Sequence, residues 1–243
     1  MFARMELERP ALFLPPLHRV PIRAGNVVEI TGPSSSAKSE ILLQAAVNCI
    51  LPKEWNGVHF GGLERAVAFI DLDCRFDVLR LYDVLKLRIM SAHGSAHGTH
   101  GDLIEICPTK SLMVSQADLL DDDLLLSCMK RFFYIRCYSS SEFLSTLKTM
   151  HPGYISSSEG LAVKLYILII DSIGAFHWND RACQLPTKED RTWKKLSLEK
   201  LTESVVQEIN KIREVQPLLV LASKVTLFGA AVPTNGAQRF PLR

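Results

Sequence analysis

Residues 27–41 read VVEITGPSSSAKSEI, and this stretch decides the fold class of the chain. Residues 27–31 are rich in β-branched residues and predict a short buried strand, and residues 40–50 carry apolar side chains at helical spacing. The loop between them matches the phosphate-binding pattern G-x-x-x-x-G-K-[ST] at every defined position but one, where Ala37 replaces the second glycine. A strand, this loop and a helix in that order predict a phosphate-loop α/β fold.

The loop residues predict a nucleotide site. Backbone N–H groups and a helix N-terminus can surround an anion, Lys38 would neutralise β- and γ-phosphate charge, and the Ser39 hydroxyl would ligate Mg²⁺. Ala37 is tolerated at a negative φ, whereas a positive φ would cost roughly 1–2 kcal/mol. The loop therefore either binds nucleotide or descends from one that did. The candidate nucleotide-binding residues are Gly32, Pro33, Ser34, Ser35, Ser36, Ala37, Lys38 and Ser39.

Composition narrows the class of protein. A chain of 243 residues, 47% hydrophobic and 22% charged, fits one α/β domain with a sizeable core. The net charge of +2 argues against a stand-alone nucleic-acid binder, so any DNA contact is expected to be local or shared with a partner. The six cysteines show no C-x-x-C spacing and predict reduced thiols of an intracellular protein. We expect neither a signal peptide nor a membrane span.

Apolar strands and helices alternate along the chain after residue 26. Strands are predicted at 27–31, 66–70, 132–137, 165–170 and 218–222, and helices at 40–50, 76–90, 144–150 and 193–215. This alternation predicts a mostly parallel sheet with helices on both faces. The expected organisation is a lead-in at 1–24, a core at 25–227 with a flexible insert at 91–121, and a weakly ordered tail at 228–243.

Three further candidate site residues follow predicted strands, where parallel sheets bind ligands. Asp171 follows six apolar residues and is the preferred Mg²⁺-side carboxylate, together with Ser39. Asp73 is the candidate water-activating acid, although a side chain one methylene shorter than glutamate reaches less far. Lys224 either contacts phosphate or is simply exposed. The alternative for the acids, including Asp71, is that they cap the following turn or helix.

Other polar patterns favour ordinary structural roles. His93, His97 and His100 stand in a glycine- and serine-rich stretch that predicts a flexible loop rather than a metal site. The run at 121–123 is three aspartates, which suit a helix N-terminus. The basic residues at 188–195 predict a solvated helix start more readily than a DNA contact.

In their order along the chain, these motifs resemble the RecA-like recombinase ATPases of the strand-exchange family, in particular a branch of eukaryotic recombinase paralogues. The resemblance covers about residues 20–227, and the alanine before the loop lysine is similar to plant versions of that branch. It is carried by CILPK at 49–53, FID at 69–71, FDVLRL at 76–81, RFF at 131–133, CYSSS at 137–141 and LIIDSIGAF at 168–176, with Trp178, Asp180 and Arg181.

The resemblance implies a RecA-like core with its strands in the order 3-2-4-5-1, numbered as predicted above. It implies a nuclear mediator of homologous recombination repair of DNA double-strand breaks, with a meiotic role. ATP and Mg²⁺ would be the cofactors. The direct partner would be the D-type recombinase paralogue within a larger paralogue complex, through which DNA would be contacted.

Departures from the family pattern keep several functions open. Asp73 stands where the family has glutamate, and Lys224 stands where it has glutamine. The family continues with a DNA-binding loop and more strands, so its C-terminal strands are expected to be missing here and the first strand to lie at an open edge. We expect ATP binding with weak or no hydrolysis. The alternatives are a competent DNA-dependent ATPase or a decayed fold acting as a protein scaffold. A small-molecule kinase is disfavoured because no arginine-rich lid follows Ser172.

Overall fold

The computed structural model describes residues 11–12, 22–96, 116–150, 154–156, 162–183 and 198–226. The strands within these residues are β1 (Ala11–Leu12), β2 (Ile22–Arg23), β3 (Val27–Gly32), β4 (Glu54–Trp55), β5 (Val58–His59), β6 (Ala66–Asp71), β7 (Phe132–Arg136), β8 (Tyr154–Ser156), β9 (Ala162–Asp171) and β10 (Leu219–Val225). The helices are α1 (Lys38–Ile50), α2 (Val78–Ala96), α3 (Gln116–Met129), α4 (Ser140–Thr149), α5 (His177–Cys183) and α6 (Leu198–Val215).

A parallel sheet of five strands in the order β7-β6-β9-β10-β3 forms the centre of the molecule. Numbered as predicted strands, this order is 3-2-4-5-1, so the predicted RecA-like α/β class is confirmed. Strand β8 pairs antiparallel with the start of β9. Among the described residues, β3 has a strand neighbour on one side only.

Helices cover both faces of this sheet because the central strands are apolar on both faces. One face packs against α1, α2 and α3, and the other packs against α4 and α6. Alternate residues of a strand therefore enter different cores: in β10, Leu221 faces α1, whereas Val220 and Ala222 face α6. This alternation also decides which polar residues at the strand ends can meet.

The predicted flexible insert at 91–121 is helical at both ends, and residues 97–115 lie outside the described residues. Helix α2 continues to Ala96, and α3 begins at Gln116. The prediction that the aspartates at 121–123 form a helix N-terminus is wrong, since they lie in the second turn of α3. The buried Leu124, Leu125 and Cys128 of α3 join the core on the α1 face, and this packing outweighs the cost of mid-helix acids.

Several elements were not predicted from the sequence. Helix α4 begins four residues earlier than expected because the Ser139 hydroxyl accepts a hydrogen bond from the Glu142 backbone N–H at 3.2 Å. The Glu142 carboxylate in turn accepts one from the Tyr138 N–H at 2.7 Å. The S-x-x-E pattern of a capping box was the available signal for this earlier start.

Helix α5 and the short strands β1, β2, β4, β5 and β8 were not predicted from the sequence.

Cys49, Cys74, Cys128 and Cys137 are free thiols, and burial raises the pKa of Cys128 to about 11. No helix in the described part of the chain has both the length and the apolar character that crossing a bilayer requires.

Truncating the α1 face of the core should destabilise the protein strongly. Leu42 on α1 is fully buried, so we expect Leu42→Ala to lower the free energy of unfolding by about 2–5 kcal/mol. The matched control is Leu79→Ala on α2, where the side chain is 74% exposed and the expected change is within about 0.5 kcal/mol. Urea unfolding measures both, and equal losses would contradict the assigned packing.

Candidate nucleotide site

The phosphate-binding loop lies between β3 and α1 and wraps around its own lysine. Lys38 is only 6% exposed. Its Nζ donates to the carbonyl oxygens of Gly32 at 3.1 Å and Pro33 at 2.6 Å, and approaches Ser36 Oγ at 3.3 Å. The ammonium group is therefore held inside the loop by oxygen acceptors, as phosphate oxygens would hold it.

The loop conformation uses backbone geometry that favours glycine. Ala37 is the N-cap of α1 with φ 55°, in the left-handed region, so its Cβ carries the strain expected for a positive φ. Its side chain makes no capping hydrogen bond, which leaves the N-terminus of α1 to an anion. At Gly32, an added Cβ would lie 2.5 Å from Ser36 Oγ, so a larger residue there would require the Ser36 side chain to move.

The remaining loop residues line the outside of this turn. The structure brings all eight predicted loop residues to the carboxyl edge of the sheet, with Lys38 pointing inward. Pro33, Ser34, Ser35, Ser36, Ala37 and Ser39 are exposed, and Gly32 is partly buried. A ligand that approaches the start of α1 from solvent would therefore contact serine hydroxyls and backbone N–H groups.

Asp171 ends β9 beside this loop and is held from two neighbouring strands. Its side chain is 6% exposed, and its Oδ1 accepts a short hydrogen bond from the Ser223 hydroxyl of β10. Its backbone carbonyl accepts hydrogen bonds from the N–H groups of Leu72 at 2.6 Å and Asp73 at 3.3 Å. The predicted metal-side acid and the predicted catalytic acid are thus adjacent.

Asp73 is half-buried, and its pKa depends on charges from both the phosphate loop and the end of β9. Burial is the largest cause that raises its pKa, and the negative charge of Asp171 raises it further. Arg75 and, more weakly, Lys38 oppose this shift. Lys38, Asp73 and Asp171, which are far apart in sequence, therefore share one electrostatic environment. Two carboxylates and the Ser39 hydroxyl are oxygen donors of the kind Mg²⁺ prefers, and the repulsion between the acids fits a cation between them.

Asp71 performs the structural role that the sequence left open for it. It is 1% exposed and accepts hydrogen bonds from the Tyr134 hydroxyl at 2.7 Å and the Phe76 N–H at 3.1 Å. Arg136 Nε lies 3.8 Å from the same carboxylate. Asp71 therefore fixes the turn before α2 through its own donors.

The structure does not bring Lys224 to the phosphate loop. Its ammonium group pairs with Glu29 at 3.6 Å on the α6 face of the sheet, whereas Asp171 and Lys38 lie on the α1 face. The preceding residue, Ser223, faces the site instead, because side chains alternate along a strand. Ser223 is the residue that the sequence analysis missed, and the period of two along β10 was the available signal.

The other polar patterns add no metal site in the described residues. No cluster of three or more His, Cys, Asp or Glu side chains suited to a metal occurs among them. His93 packs edge-on against Phe60 at 5.8 Å between ring centres. His97, His100 and the basic run at 188–195 lie outside the described residues.

Restoring the second glycine of the loop should stabilise the protein. We expect Ala37→Gly to raise the free energy of unfolding by about 0.5–1 kcal/mol, because relieved strain exceeds the added chain entropy. The control is Ala92→Gly inside α2, which should lower the free energy of unfolding by about 1 kcal/mol. Thermal and urea unfolding of both variants measure the sign of each change in stability. A loss of stability in both variants would contradict the left-handed conformation of Ala37.

Removing the charge of Asp73 should stabilise the protein at neutral pH. Folding raises the pKa of Asp73 above its ordinary 3.8, so stability from the protonated form is lost as pH rises through the folded pKa. Asp73→Asn should therefore be more stable than the wild type at pH 7, with a difference that shrinks towards pH 4. The exposed Asp83→Asn on α2 is the control. A pH-independent difference between Asp73→Asn and the wild type would contradict the assigned repulsion.

Comparison with known proteins identifies the relatives of this chain. No protein-family model matches it. It is 49% identical over 241 residues to the DNA repair protein XRCC2 homolog of Arabidopsis thaliana, which covers 98% of this chain and 64% of that protein. It is 30% identical over 157 residues to the DNA repair protein XRCC2 of Mus musculus, which covers 65% of this chain and 43% of that protein.

The chain spans less than two thirds of the length of either relative. The match to the plant protein nevertheless includes nearly every residue of this chain, and the sheet has the strand order that the resemblance implied. The resemblance predicted from the motifs is thus confirmed, and over nearly its whole length this chain is similar to the plant XRCC2 homolog.

Proposed function

We propose that this chain is a nucleotide-binding recombinase paralogue that acts as a mediator in homologous recombination repair of DNA double-strand breaks. The observation that carries the proposal is the shared environment of Lys38, Asp73 and Asp171 at the start of α1. Both relatives are named as DNA repair proteins, and this supports the process in which the site would work.

The proposed ligand is ATP with Mg²⁺. Lys38 would exchange its carbonyl acceptors at Gly32 and Pro33 for phosphate oxygens, and the N-terminus of α1 would donate backbone N–H groups. Ser39 and Asp171 would hold Mg²⁺, which when bound would neutralise phosphate charge. Binding would therefore require the Lys38 ammonium group to leave the two loop carbonyl oxygens that now hold it.

Weak or absent hydrolysis follows from the position of Asp73. Its backbone N–H is tied to the Asp171 carbonyl, and its short side chain limits how far the carboxylate can extend towards an attacking water. A displacement of 1 Å can cost about 100-fold in rate. Nucleotide would then stabilise the fold and its subunit interface more than it would drive turnover.

A second candidate function, a competent DNA-dependent ATPase, is favoured by one observation. The pKa of Asp73 is raised by burial and by Asp171, and a raised pKa suits a general base. Under this alternative, Asp73→Asn would abolish DNA-stimulated phosphate release. Under the preferred function, phosphate release is already slow and the same variant changes it little.

The proposed setting is the nucleus, within a complex of recombinase paralogues that includes the D-type paralogue. A net charge of +2 supports DNA contact through that complex rather than by this chain alone. The role in a paralogue complex, the nuclear location and the meiotic role rest on the resemblance to the family.

Removing the loop lysine should weaken nucleotide binding. Lys38→Ala removes charge-assisted hydrogen bonds worth about 1.5–3 kcal/mol each, so the affinity for a fluorescent ATP analogue should fall by at least roughly tenfold. The matched control is the exposed Lys53→Ala, which should bind as the wild type does. If the wild-type chain itself fails to bind the analogue, the nucleotide site is refuted and the scaffold alternative is favoured.

The same variant in dividing cells tests the cellular part of the proposal. Cells in which Lys38→Ala reaches the wild-type level and still associates with the D-type paralogue should retain most repair of double-strand breaks. Complete loss of repair with protein level and partner binding unchanged would contradict the proposed non-catalytic role. Failure of the wild-type protein to co-purify with recombinase paralogues would contradict the proposed complex.

A further inference from the structure

The end of β10 connects the two halves of the candidate site. Ser223 donates its hydroxyl to Asp171 Oδ1, and its backbone carbonyl accepts a hydrogen bond from the Ile173 N–H at 2.8 Å. Three residues later, the Thr226 N–H donates to the Gly32 carbonyl at 3.0 Å, the same oxygen that accepts from Lys38. One strand end therefore touches both the metal-side acid and the phosphate loop.

We propose that Ser223 is a positioning residue that sets the Mg²⁺ affinity of this site by orienting the Asp171 carboxylate. The inference rests on the proposed nucleotide-binding function. Ser223 engages one oxygen, Oδ1, and no residue in the described part of the chain donates to the other, Oδ2. The hydroxyl thus holds the carboxylate in one rotamer, with Oδ2 left to meet a cation.

Packing alone does not explain a hydroxyl at this position. Ser223 is fully buried, and the β10 residues that precede it are apolar, so alanine would fill this position as it does at 222. A buried hydroxyl is retained at no cost only when it has an acceptor, and here the acceptor is a charged carboxylate. Hydrogen-bonded partners of metal-ligating groups typically contribute 10–100-fold to metal affinity.

The test is a Mg²⁺ titration of binding of a fluorescent ATP analogue to the full chain. Ser223→Ala should raise the Mg²⁺ concentration for half-maximal binding by about tenfold or more. Its affinity for the analogue in EDTA should stay within about twofold of the wild type, because the phosphate loop is untouched. Ser223→Thr keeps the hydroxyl and should restore the wild-type Mg²⁺ dependence. Ser145→Ala on the exposed face of α4 is the control.

The outcomes separate this inference from the proposed function. If the wild type binds no analogue with or without Mg²⁺, the proposed function fails and Ser223 has no site to support. If the wild type binds with Mg²⁺ and Ser223→Ala has the same Mg²⁺ dependence, only the role of Ser223 is overturned. An equal loss of affinity for the analogue with Mg²⁺ and in EDTA also overturns the role of Ser223, because a purely structural role would give that result.

A variant with a weaker donor covers the case in which Ser223→Ala does not fold. Ser223→Cys keeps nearly the same volume and replaces the hydroxyl with a weak thiol donor. Its Mg²⁺ dependence should lie between that of the wild type and that expected for alanine. A Ser223→Cys protein with wild-type Mg²⁺ dependence would overturn the inference.

Discussion

Two buried carboxylates at the ends of neighbouring strands are the constraint on which the rest of the site depends. Asp71 and Asp171 are register partners on β6 and β9, the most buried strands of the sheet. Burying an ionised carboxylate is costly unless hydrogen bonds compensate it. Each acid is compensated by a different neighbour: Asp71 by Tyr134 on β7, and Asp171 by Ser223 on β10.

This division explains why neighbouring aspartates have different roles. Asp71 receives enough donors to be a stable part of the turn before α2, and it needs no ligand. Burial raises the pKa of Asp73, and the negative charges of Asp171 and, more weakly, Asp71 raise it further. Arg75 and, more weakly, Lys38 oppose that shift, and Lys38 Nζ is already engaged by loop oxygens. A site with this balance favours a ligand that brings both an anion for Lys38 and a cation for the acids.

Strong local patterns allowed much of this structure to be predicted. The apolar runs of β6 and β9 identified the centre of the sheet, and the loop pattern placed Lys38 at the start of a helix. The family resemblance supplied the strand order. Weaker local signals failed for identifiable reasons. The aspartates of α3 were assigned by their preference for a helix N-terminus, but the tertiary packing of Leu124 and Leu125 decided where that helix begins.

The sequence by itself determined the class of fold, the position of the phosphate loop and the identity of its lysine, because these depend on periodicity and on contiguous residues. Only the tertiary structure decided the sign of φ at Ala37 and the choice of Ser223 over Lys224 as the residue that faces Asp171. Backbone conformation in a loop is set by what surrounds it, and the face that a strand residue occupies depends on register with its neighbours. Neither property can be derived from the order of the residues alone.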